Sequence, residues 1–429
     1  MKNEELREMA SLCAKCGTCR TVCSLYPYRK TENAAARGKV CILESALVGE
    51  DQDVSAVQEV MADCLLCGRC ERECPNQVLY EEIVMRARAE LAEEAGVPAW
   101  KSVLFGKVMP STAAMRTMRK AAAVAQCLFF KKIPTGSGLH YRFPVEFLKS
   151  GRTFPELPSK GFIESLNKDE AVSGDVMLFV GCVFNHIYPQ VGSAAYETVK
   201  ECGRSVAVFR DAACCGLPAL VSGDRKSALV NIEANLKSLR AAAPETIVFP
   251  CGSCLLMFKR NIPALFPEGS LLHEDALFVA ERSIDYASFV LDSGIVCKLP
   301  DPAEAERPGE VGYHDSCHLT GALGKGAEPR KVLAQAVGNA FKEMQGADLC
   351  CGYGGTFNIR DYPTSARIGE DKISIAAKGG TKIFCAACSG CILQMRDMAA
   401  RTDPSLRVVH IAELVRQALS GGKERGEPR

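Results

Sequence analysis

This sequence lacks the features that mark several common classes of protein. It contains no run of eighteen apolar residues, so no membrane-spanning helix is expected. Residues 1–13 are charged and have no apolar core, so no secretory signal is expected. The formal net charge is only +1 over 429 residues, which gives no indication of a nucleic-acid partner. The glycine-rich pieces at 352–355 and 378–380 lack the context of a phosphate-binding loop, so no nucleotide or flavin site is predicted.

Cysteine, in contrast, is abundant, with 23 residues in the chain. A disulfide framework is typical of short secreted chains, whereas this chain is long and its cysteine count is odd. We therefore expect reduced cysteines in a cytoplasmic protein. Thiolate is a soft ligand that favours iron–sulfur clusters or zinc, so the sequence predicts metal binding.

Two cysteine groups near the N-terminus share the spacing C-x2-C-x2-C-x3-C, and we call them the first and second ladders. Their members are Cys13, Cys16, Cys19 and Cys23, then Cys64, Cys67, Cys70 and Cys74. In two-cluster ferredoxins the fourth cysteine of such a group usually ligates the other cluster. We therefore assign Cys13, Cys16, Cys19 and Cys74 to one [4Fe–4S] cluster, and Cys64, Cys67, Cys70 and Cys23 to a second. Structural zinc is the alternative, but tetrahedral zinc motifs do not use four cysteines crowded in this way.

Two later groups share the spacing C-x31/32-C-C-G-x34/35-C-x2-C. Their members are Cys182, Cys214, Cys215, Cys251 and Cys254, then Cys317, Cys350, Cys351, Cys388 and Cys391. Each group runs through alternating apolar strands and helices, which favours one parallel α/β sheet per repeat. Cysteines at the carboxyl ends of such strands are expected to converge on one edge of each sheet. Five thiols exceed what one zinc ion or cubane needs, although a structural site with zinc or no metal stays an alternative.

The last pair of the second repeat can be taken in two registers, because Cys385-x2-Cys388 is also a C-x2-C. We prefer Cys388-x2-Cys391, since CILQM after Ser-Gly aligns with CLLMF after Gly-Ser in the first repeat. Cys385 is then a spare buried thiol or an alternative ligand.

The Cys-Cys-Gly segments resemble the cysteine-rich CCG domain of heterodisulfide reductase subunits and of glycolate and lactate oxidase iron–sulfur subunits. The segments that carry the resemblance are ACC215G, PC251GSC254, LCC351GYGG and AC388SGC391. The order of a helical dicluster ferredoxin and two such domains resembles the glycolate/D-lactate oxidase iron–sulfur subunit family. Several members of that family have lost some of these cysteines, whereas this chain keeps both sets complete.

The resemblance implies two [4Fe–4S] cubanes and up to two further, non-cubane [4Fe–4S] clusters held by the five-cysteine sets. It also implies electron transfer from an FAD-dependent hydroxyacid dehydrogenase subunit to a quinone, cytochrome or other acceptor. The alternative is a heterodisulfide-reductase-like subunit that reduces a disulfide at a CCG cluster. A zinc-stabilised scaffold is a third hypothesis.

The expected fold class is α+β multidomain: a helical dicluster ferredoxin domain, then two repeated α/β CCG domains with parallel sheets. The expected boundaries are 1–96 for the ferredoxin domain, 97–170 for a basic helical linker, 171–300 and 301–429 for the CCG domains. No acidic residue occurs from 95 to 145, where the basic residues are Lys101, Lys107, Arg116, Arg119, Lys120, Lys131, Lys132 and Arg142. Such a stretch is typical of a solvated helical linker, or of a surface that meets an acidic partner or the inner face of the cell membrane.

Histidines near the CCG cysteines are secondary candidates. His314 and His318 flank Cys317, and His186 follows Cys182. Such residues either hydrogen-bond cluster sulfurs or deliver protons. Cysteines 41, 127, 202 and 297 fall outside every spacing pattern and are expected to be small core residues.

Overall fold

The computed structural model describes residues 3–49, 53–132, 139–141, 151–167, 173–301 and 309–421. The described part of residues 1–96 contains only helices as regular structure: α1 (Glu4–Ser11), α2 (Thr18–Val22), α3 (Tyr26–Arg29), α4 (Ala36–Leu47), α5 (Val54–Ala62), α6 (Arg69–Arg72) and α7 (Tyr80–Ala95). Apolar residues of α1, α4, α5 and α7, among them Leu6, Leu43 and Ile83, form one core. The predicted helical ferredoxin architecture is confirmed.

The segment that follows packs against the next domain. Its elements are α8 (Ala99–Val103), a π-helical turn (Leu104–Val108), α9 (Thr112–Phe129), β1 (Phe130–Lys132), β2 (Leu139–Tyr141) and α10 (Phe162–Ser165). Phe105 is buried in the core of the first CCG domain, and Asn231 Nδ2 donates a 2.8 Å hydrogen bond to its carbonyl oxygen. The π-helical turn is therefore part of that domain's packing.

The basic residues of α9 have an acidic counterpart. Arg119 is buried and hydrogen-bonds Glu164 of α10, while Arg116 and Lys120 each lie 3.5 Å from the same carboxylate. Glu164 thus offsets part of the charge that the sequence concentrates here. Arg142 lies outside the described residues.

Two α/β units follow, with the same order of elements. The first contains β3 (Val176–Leu178), α11 (Cys182–His186), α12 (Pro189–Val199), β4 (Val206–Val208), α13 (Leu217–Leu220), α14 (Arg225–Ala242), β5 (Thr246–Phe249), α15 (Gly252–Leu256), α16 (Leu271–Arg282), β6 (Ser283–Asp285) and α17 (Tyr286–Asp292). The second contains β7 (Glu310–Tyr313), α18 (Ala327–Val337), β8 (Phe341–Lys342), α19 (Thr356–Arg360), α20 (Tyr362–Lys378), β9 (Thr381–Ala386), α21 (Ser389–Thr402), β10 (Arg407–His410) and α22 (Ile411–Leu419).

Both units have the predicted parallel sheet, each with four strands in the described residues. The strand orders are β4-β3-β5-β6 and β8-β7-β9-β10, and every pairing within them is parallel. The order reverses between the first and third strands of each unit, which is where open α/β sheets place their sites. Cys182 and Cys251 follow β3 and β5, and Cys317 and Cys388 follow β7 and β9.

The sequence pattern missed some local structure. It did not predict the second strands, β4 and β8, which have three and two residues. A helix begins one residue after the first cysteine of each C-x2-C pair, at Gly252 and Ser389. The second cysteine of each pair therefore lies in the first turn of a helix.

A single apolar core runs through both CCG domains. Helix α22 of the second domain packs on α12 of the first, and α17 of the first packs on α18 of the second. Between them lies His410, which is fully buried. Its Nε2 donates to the carbonyl of Pro250 at 2.8 Å, and its Nδ1 accepts from the Ala412 amide at 3.1 Å. The neutral imidazole therefore joins the two domains.

We expect His410 to make stability depend on acid pH. Burial lowers the pKa of His410 to about 4, whereas the unfolded chain has a value near 6.5. As the pH falls, His410 therefore becomes protonated at a lower pH in the folded chain than in the unfolded chain. Its contribution to the free energy of unfolding is complete above pH 6.5 and decreases as the pH drops from 6.5 to 4. The loss is about 3 kcal/mol at most. Denaturant unfolding at several pH values should show this slope in the parent protein and a flatter one in His410→Gln.

His273→Gln is the matched control, because His273 lies on the surface helix α16 and forms no interdomain hydrogen bond through its ring in the described structure. This variant should keep the parent slope. An unchanged slope in His410→Gln would contradict the assignment.

No helix in the described ranges is long and apolar enough to cross a membrane.

Candidate metal centres

The first ladder surrounds a cavity. Cys13, Cys16 and Cys19 line it, together with Cys70 and Cys74 from the second ladder. Cys16 is exposed and the other four are half-buried. The fold therefore gathers the four thiols that the sequence assigned to one cluster, and it places them at the protein surface.

The second ladder lies deeper, against the CCG domains. Burial, and the neighbouring thiols of Cys64 and Cys67, raise the pKa of Cys23. Burial raises the pKa of Cys70 as well, and the neighbours that add to this effect are Cys67, Cys64, Cys23 and Cys19. Cys23 thus lies among the second-ladder thiols, as the crossed assignment requires.

Both ladders have the same backbone shape. Gly17 and Gly68 adopt φ values of +87° and +66° and start α2 and α6. Glycine adopts this left-handed conformation without strain, so the chain can turn tightly at both points. Two residues earlier, Lys15 and Leu66 also adopt positive φ, at 56° and 50°. Side chains rarely adopt this region without compensation, so both loops are curved at equivalent points around their thiols.

Buried cations lie beside the second ladder, and no spacing or periodicity in the sequence indicates them. Lys39 is 1% exposed and donates to the carbonyls of Asn33 and Ala34. Burial lowers the pKa of Lys39, while the Cys64 and Cys23 thiols oppose this effect. The Arg88 guanidinium donates to the carbonyl of Cys64 at 2.8 Å. A cluster with four thiolates carries net negative charge, which these cations would offset.

The first five-cysteine set converges at the ends of β3 and β5. The side chain of Cys182 lies beside Cys214, and that of Cys215 beside Cys254, and each pairing raises the pKa of Cys182 and of Cys254 respectively. Cys251 also contacts Cys254. Four of the five thiols are buried and Cys182 is half-buried. Phenylalanines pack behind them, with Phe179 about 5 Å from Phe249 and Phe258 between ring centroids.

The second set converges in the same way. Cys351 and Cys391 have their sulfurs 3.4 Å apart, and charge from Cys350, Cys351 and Cys388 contributes after burial to a raised pKa of Cys317. Cys385 lies inside β9, where its pKa is raised by burial and then by Glu413, not by other thiols. The structure therefore places Cys388 and Cys391 in the set and Cys385 outside it.

Glycine follows each Cys-Cys pair with a positive φ, +88° at Gly216 and +85° at Gly352. A further glycine, Gly181, has φ +78° and would bring an added Cβ to 3.2 Å from the Cys254 sulfur. These positions let the backbone pass close to the thiols.

Each of the four thiol sites lies next to another one in space, so that together they form one continuous row. The ladders adjoin through Cys19 and Cys70, since the Cys19 charge contributes to the raised pKa of Cys70. The Cys67 side chain lies beside Cys350 of the second five-cysteine set, which raises the pKa of Cys67. The Cys251 side chain in turn lies beside Cys388, so the two five-cysteine sets adjoin.

Two serines cross the junction between the five-cysteine sets. Ser253, from the first domain, has its hydroxyl 3.0 Å from the sulfur of Cys388 in the second. Ser389, from the second domain, has its hydroxyl 3.1 Å from the sulfur of Cys251 in the first. Each hydroxyl can donate to a thiolate of the other domain. Both serines lie within the C-x2-C segments of the sequence, but their partner thiols become evident only from the packing of the two domains.

The three candidate histidines have different surroundings. His318 Nδ1 lies 2.7 Å from the Ser253 hydroxyl, and His314 Nε2 lies 3.3 Å from the Cys391 sulfur. His186 Nε2 instead lies 3.3 Å from the side-chain amide of Asn185. Burial lowers the pKa of His186 to about 4, with Arg119 adding to the effect.

The donor sets fit the clusters that the sequence predicts. Two groups of four thiols lie in loops of matched curvature, and two groups of five converge at equivalent sheet edges. Thiolate sulfur is the ligand that iron–sulfur clusters use.

Comparison with known proteins agrees with this assignment. Residues 9–78 match a family described as the 4Fe-4S dicluster domain, and residues 176–259 and 311–396 match one described as the cysteine-rich domain, CCG. These matches support iron–sulfur clusters as the cofactors.

Three similar proteins show the extent of the relationship. The "Probable glycolate oxidase iron-sulfur subunit" of Bacillus subtilis (strain 168) is 24% identical over 420 residues, which is 95% of this chain and 93% of that protein. "Lactate utilization protein A" of Bacillus cereus (strain AH187) is 31% identical over 240 residues, 56% of this chain and 98% of that protein. "Lactate utilization protein A" of Exiguobacterium sp. (strain ATCC BAA-1283 / AT1b) is 29% identical over 245 residues, 57% of this chain and 98% of that protein.

Proposed function

Since this chain belongs to the family of glycolate/D-lactate oxidase iron–sulfur subunits, we propose that it is the electron-transfer subunit of a flavin-dependent 2-hydroxyacid dehydrogenase. An FAD-dependent subunit would oxidise glycolate or D-lactate, and this chain would pass the electrons to a quinone, a cytochrome or another carrier. The complex would be cytoplasmic, with the option of peripheral contact at the inner face of the cell membrane.

Continuous contact between the four thiol sites supports this proposal. Cys74 lines the first-ladder cavity and Cys23 lies near Cys64 and Cys67. Cys67 lies beside Cys350, and Cys251 lies beside Cys388. Electron transfer needs closely spaced centres, whereas a scaffold stabilised by separate metal sites does not. The bound clusters would each accept and release one electron, and the protein would set their positions and surroundings.

We infer the order of the centres from these contacts. The first-ladder site lies at one end, with Cys16 exposed. The second-ladder site, the second CCG site and the first CCG site follow. The order of the sites in space thus differs from their order in sequence, because the second CCG site lies beside the second ladder and the first CCG site lies beside the second CCG site. The ligands would be Cys13, Cys16, Cys19, Cys74; Cys64, Cys67, Cys70, Cys23; Cys317, Cys350, Cys351, Cys388, Cys391; and Cys182, Cys214, Cys215, Cys251, Cys254.

The proposal is tested by anaerobic reduction. The chain is purified alone and together with a flavin-dependent hydroxyacid dehydrogenase encoded beside it, and each sample receives glycolate or D-lactate. We expect the cluster absorbance to bleach, and electron paramagnetic resonance signals to appear, only when the flavoprotein is present. The chain alone with dithionite is the positive control for reducible clusters.

The alternative activity gives a different result. If the chain alone, with reduced viologen dye, turns over a disulfide substrate, then the electron-transfer proposal fails and the heterodisulfide-reductase-like function replaces it. A protein rich in zinc and poor in iron would contradict both.

A further inference from the structure

The second CCG site contains a buried histidine that has no counterpart in the first. His314 directly follows β7, three residues before Cys317, and is 1% exposed. The residue three positions before Cys182 is Phe179, which packs among other phenylalanines. The two otherwise similar sites therefore differ at this position in the chemistry that faces the thiols.

The hydrogen bond of one ring nitrogen fixes the state of the other. His314 Nδ1 lies 3.1 Å from the carbonyl oxygen of Ala347. A carbonyl oxygen can only accept, so Nδ1 carries the hydrogen. In a neutral imidazole the second nitrogen then has a free lone pair. This lone pair, on Nε2, lies 3.3 Å from the sulfur of Cys391.

The surroundings of the ring favour the neutral state. The Lys372 ammonium donates to the same Ala347 carbonyl at 2.8 Å, and also to those of Gly346 and Leu349. A protonated imidazole would place a second positive charge beside it in a buried site.

The lone pair on Nε2 needs either a thiol proton or a metal cation between it and the sulfur, and cysteines that bind a cluster have lost that proton. His314 Nε2 and the sulfurs of Cys351 and Cys391 all lie within 4.8 Å of one another, and all three residues are buried. Histidines that bind metal through one nitrogen usually donate the other N–H to a carbonyl or carboxylate. The Ala347 carbonyl has this role here.

We propose that His314 Nε2 is an iron ligand in the second CCG site, beside Cys351 and Cys391. The inference rests on the proposed cluster occupancy of that site. The site would combine thiolate and imidazole ligands, while the first CCG site would have thiolates alone.

The test uses the full chain labelled with 15N only in histidine, purified anaerobically and reduced with dithionite. Pulsed electron paramagnetic resonance measures the hyperfine coupling of nearby nitrogens to the cluster. We expect a strong coupling to directly bound 15N, which disappears in His314→Gly and reappears when 15N-imidazole is added to that variant. His318→Gln is the matched control and should keep the coupling, because His318 contacts Ser253 and not a sulfur.

Two negative results have separate meanings. A second-site cluster signal with only weak histidine coupling, of the size that a hydrogen bond gives, overturns the ligand assignment and leaves the electron-transfer function intact. Iron analysis that finds no iron dependent on Cys351 overturns the occupancy of the site, and with it both this inference and the proposed order of centres.

Discussion

Cys74→Ala is expected to remove the cluster of the first ladder, although Cys74 belongs to the second ladder in sequence. The four clusters together require roughly sixteen irons, and this variant should lose about four. The physical reason is the cavity that Cys74 lines with Cys13, Cys16 and Cys19. Iron and acid-labile sulfide analysis of the anaerobically purified protein measures the loss.

Double variants identify which cluster is lost. If Cys16 and Cys74 bind the same cluster, Cys16→Ala combined with Cys74→Ala should lose no more iron than either change alone. Cys67→Ala combined with Cys74→Ala should lose about twice as much, because two clusters are affected. Cys41→Ala is the control, since Cys41 belongs to no site and, contrary to the sequence-based expectation of a core residue, is exposed on α4, as Cys297 is exposed in its own turn. The reverse outcome for the two double variants would show that each ladder binds its own cluster.

The ladders show what spacing alone can predict. Ligands within a few residues of one another, such as Cys64 and Cys67, are held together by local chain geometry. The turns at Gly17 and Gly68 follow from the same local geometry. The parallel sheets were likewise predictable, because apolar strands alternate with helices over about a hundred residues. In contrast, β8 has only two residues and forms an edge of its sheet, so no periodicity reveals it.

Contacts between the sites could not be predicted, because they depend on the docking of domains that are distant in sequence. Cys67 meets Cys350, and Ser253 meets Cys388, only through the packing of preformed surfaces. Buried cations such as Lys39 were also missed, since a lone lysine in a helix usually faces solvent. The sequence indicates His314 as a candidate, but it does not show whether the ring donates a hydrogen bond to a cluster sulfur or binds iron. Only the hydrogen bond from Nδ1 to the Ala347 carbonyl, which leaves Nε2 with a lone pair, separates these two roles.

The docking of the ferredoxin domain on the first CCG domain depends on a close approach of two backbones. Gly223 has φ +84°, and a Cβ added there would lie 2.3 Å from the carbonyl oxygen of Arg88 in α7. Beside this contact, the Arg88 guanidinium donates to the carbonyl of Val221 at 2.6 Å and to that of Cys64 at 2.8 Å. One buried arginine thus connects the second-ladder loop to the first CCG domain.

Gly223→Ala is expected to weaken this interface strongly. The left-handed backbone costs a side chain about 1–2 kcal/mol, and the clash with a backbone atom adds roughly 1–3 kcal/mol, because neither chain segment can move without breaking the Arg88 hydrogen bonds. The matched control is Gly203→Ala, at φ +73° with nothing within 4 Å of the added Cβ. It carries the backbone cost alone. In denaturant unfolding, the free energy of unfolding of Gly223→Ala should therefore be lower than that of Gly203→Ala by the cost of the clash. Limited proteolysis should also cleave Gly223→Ala faster between the two domains. Equal stability of the two variants would mean that the ferredoxin domain does not dock through Gly223 and Arg88. The packing that brings Cys67 close to Cys350 would then have to come from other contacts between the domains.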